Sequence, residues 1–95
     1  MEFDSVDKLV DYIVEKGYKD LKIFRGCDYI TAVVDVTENG VVYDYDKMVD
    51  YLVEKNAMTY EDAIEWIDYN TLRAIPYMGA NPPIIHYDES EDYVE

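Results

Sequence analysis

One cysteine, one histidine and one tryptophan occur in the 95 residues. A lone Cys27 forms no intramolecular disulfide, and Cys27 with His86 falls short of the four ligands, usually several Cys and His, that a structural zinc takes. Four glycines supply no glycine-rich phosphate loop. Ser5 and Ser90 lie near the chain ends, and no nucleophile, base and orienter can be assembled together. No apolar run approaches the roughly 18–20 residues that cross a bilayer, and no cationic start with a secretory apolar segment is present. Positive charge is the remaining scarcity: 8 Lys and Arg face 22 Asp and Glu, for a formal net charge of −14. Nucleic acid and the inner membrane surface are both negative, so direct binding to either is disfavoured without a local basic patch. Lys16, Lys19, Lys22 and Arg25 form the one cationic cluster, flanked by acids. These absences predict a cytoplasmic chain that is not an enzyme, uses no cofactor and contacts neither nucleic acid nor membrane directly.

What is abundant is carboxylate at helical spacing. Asp7, Asp11 and Glu15, then Asp46, Asp50 and Glu54, then Glu61 and Glu65 with Asp68 beside them, all recur with no cation between. Like charges four apart on a helix cost about 0.2–0.5 kcal/mol per pair. Each ridge therefore carries a small penalty, which a solubilising surface or a recognition surface would explain. Hydrophobic residues at 49% and charged residues at 32% nevertheless fit a folded chain, and 95 residues support one core.

Residues 4–16 read as a helix, because Val6, Leu9, Val10, Ile13 and Val14 fall on one stripe; Asp4 or Ser5 caps its start and Gly17 its end. Leu21–Phe24 is compatible with a short strand. From Tyr29 to Thr37 apolar and polar residues alternate as in a strand, and Asn39-Gly40 supplies a type I′ turn into Val41–Tyr43. A second helix spans about 45–55 behind an Asp44 cap. Thr59, with Asp62 three residues on, opens a third through Asp68 or Asn70, with Ala63, Ile64, Trp66 and Ile67 inward. Pro76, Gly79, Pro82 and Pro83 then make one short helical turn and a loop, with Ile84–Tyr87 as a last edge strand. The expected fold is α+β: an antiparallel three-stranded meander with helices on one face, in the order α-β-β-β-α-α, and a fourth short strand as an option. One domain would occupy residues 1–87, and an acidic tail at 88–95 would fray.

Residues 7–16 and 46–55 differ only by Leu9 against Met48 and Ile13 against Leu52. A repeat confined to one helix is not a solenoid unit. Two readings stand level: twin helices lying side by side with their acid ridges outward, or reuse of good amphipathic helix residues.

Two further patterns carry possible chemistry. Asp35, Thr37, Asn39 and Asp46 stand at ligand positions of an EF-hand-like loop, but Thr at the third position, Asp at the twelfth and a strand-like approach favour a hairpin over calcium. Eleven tyrosines, several next to acids, suit interfaces as well as the rim of a small core.

The segment from Tyr60 through Asp68-Tyr69-Asn70-Thr71-Leu72-Arg73-Ala74 to Gly79, with Pro83-Ile84-Ile85 and the earlier Val42–Val49, resembles a family of small acidic proteins encoded by bacteria and their phages or mobile elements. That family has no assigned activity, so the resemblance implies a mobile-element setting, in which inhibitors of nucleic-acid-handling systems are plausible, and transfers no catalytic residue. It makes Asn70 and Arg73 surface candidates. The functional expectation is a small acidic protein-binding module, in its sharpest form a nucleic-acid-mimicking inhibitor of a basic nucleic-acid-binding protein. Its acidic binding surface would be Asp7, Asp11, Glu15, Asp46, Asp50, Glu54, Glu61 and Glu65. The alternatives are an adaptor or regulator using the apolar and aromatic surface around Trp66–Met78, with Tyr69, Asn70, Arg73 and Tyr77 facing the partner, and the calcium loop. Oligomeric state is left open.

Overall fold

The structure, a computed structural model, describes residues 2–25 and 27–87. The tail expected to fray, 88–95, lies outside the described residues. Helix α1, Val6–Lys16, starts where the Ser5 hydroxyl accepts from the Lys8 amide at 3.3 Å. It stops at Gly17, whose φ of 77° is the left-handed position glycine reaches at little cost. Helix α2, Tyr45–Lys55, is capped by the Asp44 carboxylate accepting from the Lys47 amide at 3.1 Å. Helix α3, Tyr60–Trp66, is capped by the Thr59 hydroxyl accepting from the Asp62 amide at 3.1 Å. Three side-chain caps at three helix starts follow the residue types at those positions.

Past Trp66 the helical path continues with a change of pitch. Residues Ile67–Thr71 are π-helical and Leu72–Tyr77 are 3₁₀, with Pro76 inside the tighter stretch. The run is therefore longer than the single turn expected after the third helix.

Strands β1 (Val33–Thr37), β2 (Gly40–Asp44) and β3 (Ile84–His86) form an open mixed sheet in the order β1-β2-β3. β1 pairs antiparallel with β2, and β3 pairs parallel with β2. The α+β class holds, but the purely antiparallel meander does not. The third strand is the one after Pro83, and α2 and the long helical run lie between it and β2. That is enough chain for a parallel crossover.

Leu21–Phe24 is not a strand. Its Lys22 amide donates to the Asn81 carbonyl at 3.0 Å instead of to a ladder. The cause lies just downstream. Tyr29 is left-handed (φ 50°), and a 3₁₀ turn follows at Ile30–Ala32, with the Ile30 amide donating to the Asp28 carboxylate at 3.0 Å. The chain thus changes direction between Phe24 and Val33 and cannot form a hairpin there, so β1 begins four residues later than expected.

The hairpin turn also differs. Thr37 pairs with Gly40, leaving Glu38 and Asn39 at the tip, and neither they nor Gly40 is among the left-handed residues described. The Thr37 hydroxyl organises the turn, accepting from the Asn39 and Gly40 amides at 3.1 and 3.2 Å. Glycine is needed at position 40 for a different reason. A Cβ there would lie 2.8 Å from the Pro82 carbonyl oxygen and 3.0–3.1 Å from Ile84 side-chain carbons.

The buried residues form one cluster: Leu9 and Ile13 from α1, Ile23, Phe24 and Tyr29, the strand residues Val33, Val36, Val41 and Tyr43, Met48, Val49 and Leu52 from α2, and Ala63 and Ile67. α2 packs against β2, α3 and the 3₁₀ turn, and α1 and α2 both give residues to the one buried cluster.

Gly40→Ala should lower unfolding free energy by about 1–3 kcal/mol, as inserted carbons do at a tight contact, and should loosen β3 first. Urea unfolding with amide exchange at Ile84–His86 checks this; an unchanged midpoint would show that the Pro82 carbonyl yields freely.

Candidate functional site

Tyr29 is fully buried, and its hydroxyl lies 2.6 Å from the Thr71 hydroxyl in the π-helical stretch. Phe24 meets the Tyr29 ring edge-on at a centroid distance of 5.4 Å and lies 4.7 Å from the Tyr43 ring. Tyr51 lies 5.5 Å from Tyr29 on another side and donates to the Asp28 carboxylate at 3.2 Å. This aromatic floor fixes the segment 21–28 against the long helical run.

Above the floor is a groove of about 620 Å³. Trp66, Asn70, Ala74 and Met78, four residues apart, form one wall, and Leu21–Arg25 with Cys27 form the other. A cleft of this size, mostly apolar with a few polar groups, is the usual form of a ligand site. π-helical turns such as Ile67–Thr71 are frequent at functional sites. Trp66, expected inward, is 41% exposed, because the widened turn that follows brings its ring to the groove edge. The Lys22 ammonium donates to the Asp20 and Ala80 carbonyls, both at 3.1 Å, which holds one wall to the loop after Tyr77. Arg25 and Asn70 are exposed. Burial pushes the Cys27 thiol up, the Tyr29 hydrogen bond opposing and the Asp28 charge adding, so Cys27 is a poor nucleophile at neutral pH.

The apolar and aromatic surface expected around Trp66–Met78 divides. Leu72, Ile75 and Met78 are half-buried, while Tyr69 and Tyr77 are 62% and 88% exposed. Arg73 stacks on Tyr69, its guanidinium carbon 4.9 Å from the ring centroid, a cation–π contact rather than an acid pair. Asn70 faces the groove, whereas Arg73 and Tyr77 are not among its lining residues.

Of the expected acidic surface, Asp7, Asp11, Glu15, Asp50, Glu54, Glu61 and Glu65 are exposed and Asp46 is half-buried. Asp68 accepts from the Tyr45 hydroxyl at 3.4 Å. The twin helices differ in what borders these ridges. On α2, Val49 is fully buried and Val53 half-buried. On α1 the equivalent Val10 and Val14 are 40% and 70% exposed. The inward stripe expected for α1 is thus narrower, reduced to Leu9 and Ile13 with Val6 at its edge. α3 lies against α2.

The residues of the expected calcium loop are used by a hairpin. The Asp35 carboxylate accepts from the Val36 amide at 2.8 Å, Thr37 and Asn39 serve the turn, and Asp46 stands in the first turn of α2. Among the described residues no group of three or more His, Cys, Asp or Glu is placed to hold a metal ion. Among them, too, no helix is long and apolar enough to cross a membrane. No protein-family model, curated protein or solved structure matches the chain.

Burial pushes the Tyr43 hydroxyl up to about 12. Burial, with the Asp68 charge adding, takes Tyr45 to about 12 as well. Tyr29 and Tyr51 are raised by burial first, Tyr51 also by Asp28. A raised folded value means the native state keeps a proton that the unfolded chain loses near pH 10. That stabilisation is whole below pH 10 and is lost as pH climbs towards 12. Denaturant midpoints should fall over this window, on the order of 1.4 kcal/mol per pH unit for one fully buried phenol. Tyr43→Phe should flatten the fall; an identical slope would show that Tyr43 ionises without unfolding.

Proposed function

We propose that this chain is a small, non-catalytic protein-binding module that receives a basic, amphipathic segment of its partner on the outer face of α1. The observation that carries this reading is the contrast between the twin helices. The same valine pair is covered on α2 and open on α1, beside Asp7, Asp11 and Glu15. An apolar strip rimmed by one sign of charge is the complement of a helix with apolar anchors flanked by Lys or Arg. The remaining carboxylates steer such a partner from a distance and disfavour acidic competitors.

The same face extends to partners whose basic surface otherwise holds nucleic acid. Successive ridge carboxylates rise about 6 Å along the helix axis, comparable with phosphate spacing, and the resemblance to small acidic proteins of phages and mobile elements supports that setting. In this form the module acts as a nucleic-acid-mimicking inhibitor. A partner on the groove side, with Trp66 and Tyr69 as anchors, is the adaptor reading. The groove lining, free of acids, supports it less for a basic partner.

A labelled synthetic helix with leucines at i and i+4 flanked by lysines should bind, and should weaken at least tenfold from low to high salt. Asp7→Asn with Asp11→Asn and Glu15→Gln should weaken it similarly, whereas Asp50→Asn with Glu54→Gln should change it less. Val10→Ser with Val14→Ser should weaken it while leaving stability within about 0.5 kcal/mol, as exposed substitutions do. Fluorescence anisotropy reads each affinity. Equal binding by all variants would show that the acids serve solubility alone.

A further inference from the structure

The groove above Tyr29 stands apart from the rest of the surface in charge. Four smaller hollows are each bordered by at least two carboxylates: Asp62 and Glu65 in one, Asp4, Asp7 and Asp28 in another, Glu2 and Asp4 in a third, and Glu2, Asp4, Asp11 and Glu15 in the fourth. Among the described residues the groove lining holds no carboxylate, and it holds Lys22 and Arg25, two of the 8 cations in the chain. In a sequence with 22 acids, a volume of about 620 Å³ lined without one is the single place among these hollows where an anion meets no like charge at contact.

We infer that this groove is a binding site for a small molecule with a flat apolar body and one anionic group, a carboxylate or sulfonate. Its volume fits a drug-sized ligand rather than a folded partner. The body would lie along Phe24, Met78 and the Trp66 indole, whose exposed part offers a stacking face. The anion would meet the Arg25 guanidinium, with its planar fork of donors, and the Asn70 amide. Lys22 contributes a fixed positive charge, because two carbonyls hold its ammonium in place. The floor makes no demand on the ligand, since the Thr71 hydroxyl already has the Tyr29 hydroxyl at 2.6 Å. Asp62 and Glu65 border the adjoining hollow that shares Trp66 and Asn70, so the anion is placed at the Arg25 and Lys22 side, and exposed charges beyond about 8 Å are largely screened at physiological salt.

The sole tryptophan lines this groove and the adjoining hollow of Asp62 and Glu65, so its emission reports binding and the Ala74→Phe variant assigns it to the groove. The test titrates the chain with 8-anilinonaphthalene-1-sulfonate, an aromatic body with one anionic group, and with N-phenyl-1-naphthylamine, the same body uncharged. Both should quench Trp66, the sulfonate saturating at one per chain. Arg25→Gln should weaken the sulfonate about tenfold, the scale of one charge-assisted hydrogen bond, and leave the neutral compound within twofold. Ala74→Phe, at an exposed wall position, should fill the groove and weaken both at least tenfold. Circular dichroism and the urea midpoint confirm that each variant is folded. Sulfonate binding that Arg25→Gln lowers less than threefold assigns the groove to an uncharged apolar occupant and overturns the proposal. Binding that Ala74→Phe leaves unchanged, or that leaves Trp66 emission unaltered at saturation, overturns it too.

Discussion

The buried bond between the Tyr29 and Thr71 hydroxyls, 2.6 Å long and spanning 42 positions of sequence, joins two parts of the molecule that the sheet does not hold together. The described residues of 21–28 form no strand, and the π-helical stretch packs along α3 and the 3₁₀ stretch after it. Tyr29 reaches Thr71 only because its backbone is left-handed. A bulky residue at φ 50° is unfavourable by something like 1–2 kcal/mol. Contacts with Phe24 and Tyr51, and the Asp28 carboxylate at the following turn, hold it there. The groove is the space left above this junction. Its two walls belong to segments whose relative position is set by one aromatic cluster and by the Lys22 and Asn81 backbone clips.

The second constraint is charge. With a formal net charge of −14, folding brings like charges together, and the chain lowers that cost by placing the carboxylates of its helices on exposed faces, where water screens them. Helix starts use acids productively, since Asp44 caps α2 and the Asp28 carboxylate accepts from the Ile30 amide where the 3₁₀ turn begins. Lys16 lies over the Tyr12 ring at 5.5 Å, and Lys22 and Arg25 turn to the groove. Among the described residues, the molecule therefore keeps exposed carboxylates along its helices beside a groove whose lining has none.

Much of the local structure was legible in the sequence, because it is specified by neighbours. Ser5, Asp44 and Thr59 as caps, Gly17 as a stop, and the 3.6-residue stripes of α1 and α2 need only nearby residues to be recognised. The sheet was legible in part. Val33–Thr37 and Val41–Tyr43 carry β-branched patterns, and Ile84 after two prolines reads as an edge. The direction of that edge depends on where α2 and the long helical run set the chain down, which no local pattern encodes. Asn39-Gly40 misled for a related reason: the glycine answers to the Pro82 carbonyl, far along the chain, rather than to turn geometry. Val10 and Val14 match Val49 and Val53 in sequence, and only tertiary packing separates the covered pair from the open one. The groove was the least visible feature. Lys22 and Arg25 stood out as a cationic cluster, but their juxtaposition with Trp66 and Asn70 comes from the long-range Tyr29–Thr71 contact.

The twin helices show how one amphipathic sequence serves two ends in a domain this small. On α2 Val49 belongs to the buried cluster and Val53 is half-buried, while Asp50 and Glu54 stay exposed. On α1 only Leu9 and Ile13 are fully committed to the core, so a surface of the same composition is left outward. Exposed valines at 40% and 70% forgo hydrophobic stabilisation of about 25 cal/mol per Å² of apolar surface that a covering helix would recover. A partner helix on α1 would regain what α3 provides on α2. In the proposed reading its charge would be positive, as the flanking ridge favours, and the acids that burden the isolated fold would then select what covers it.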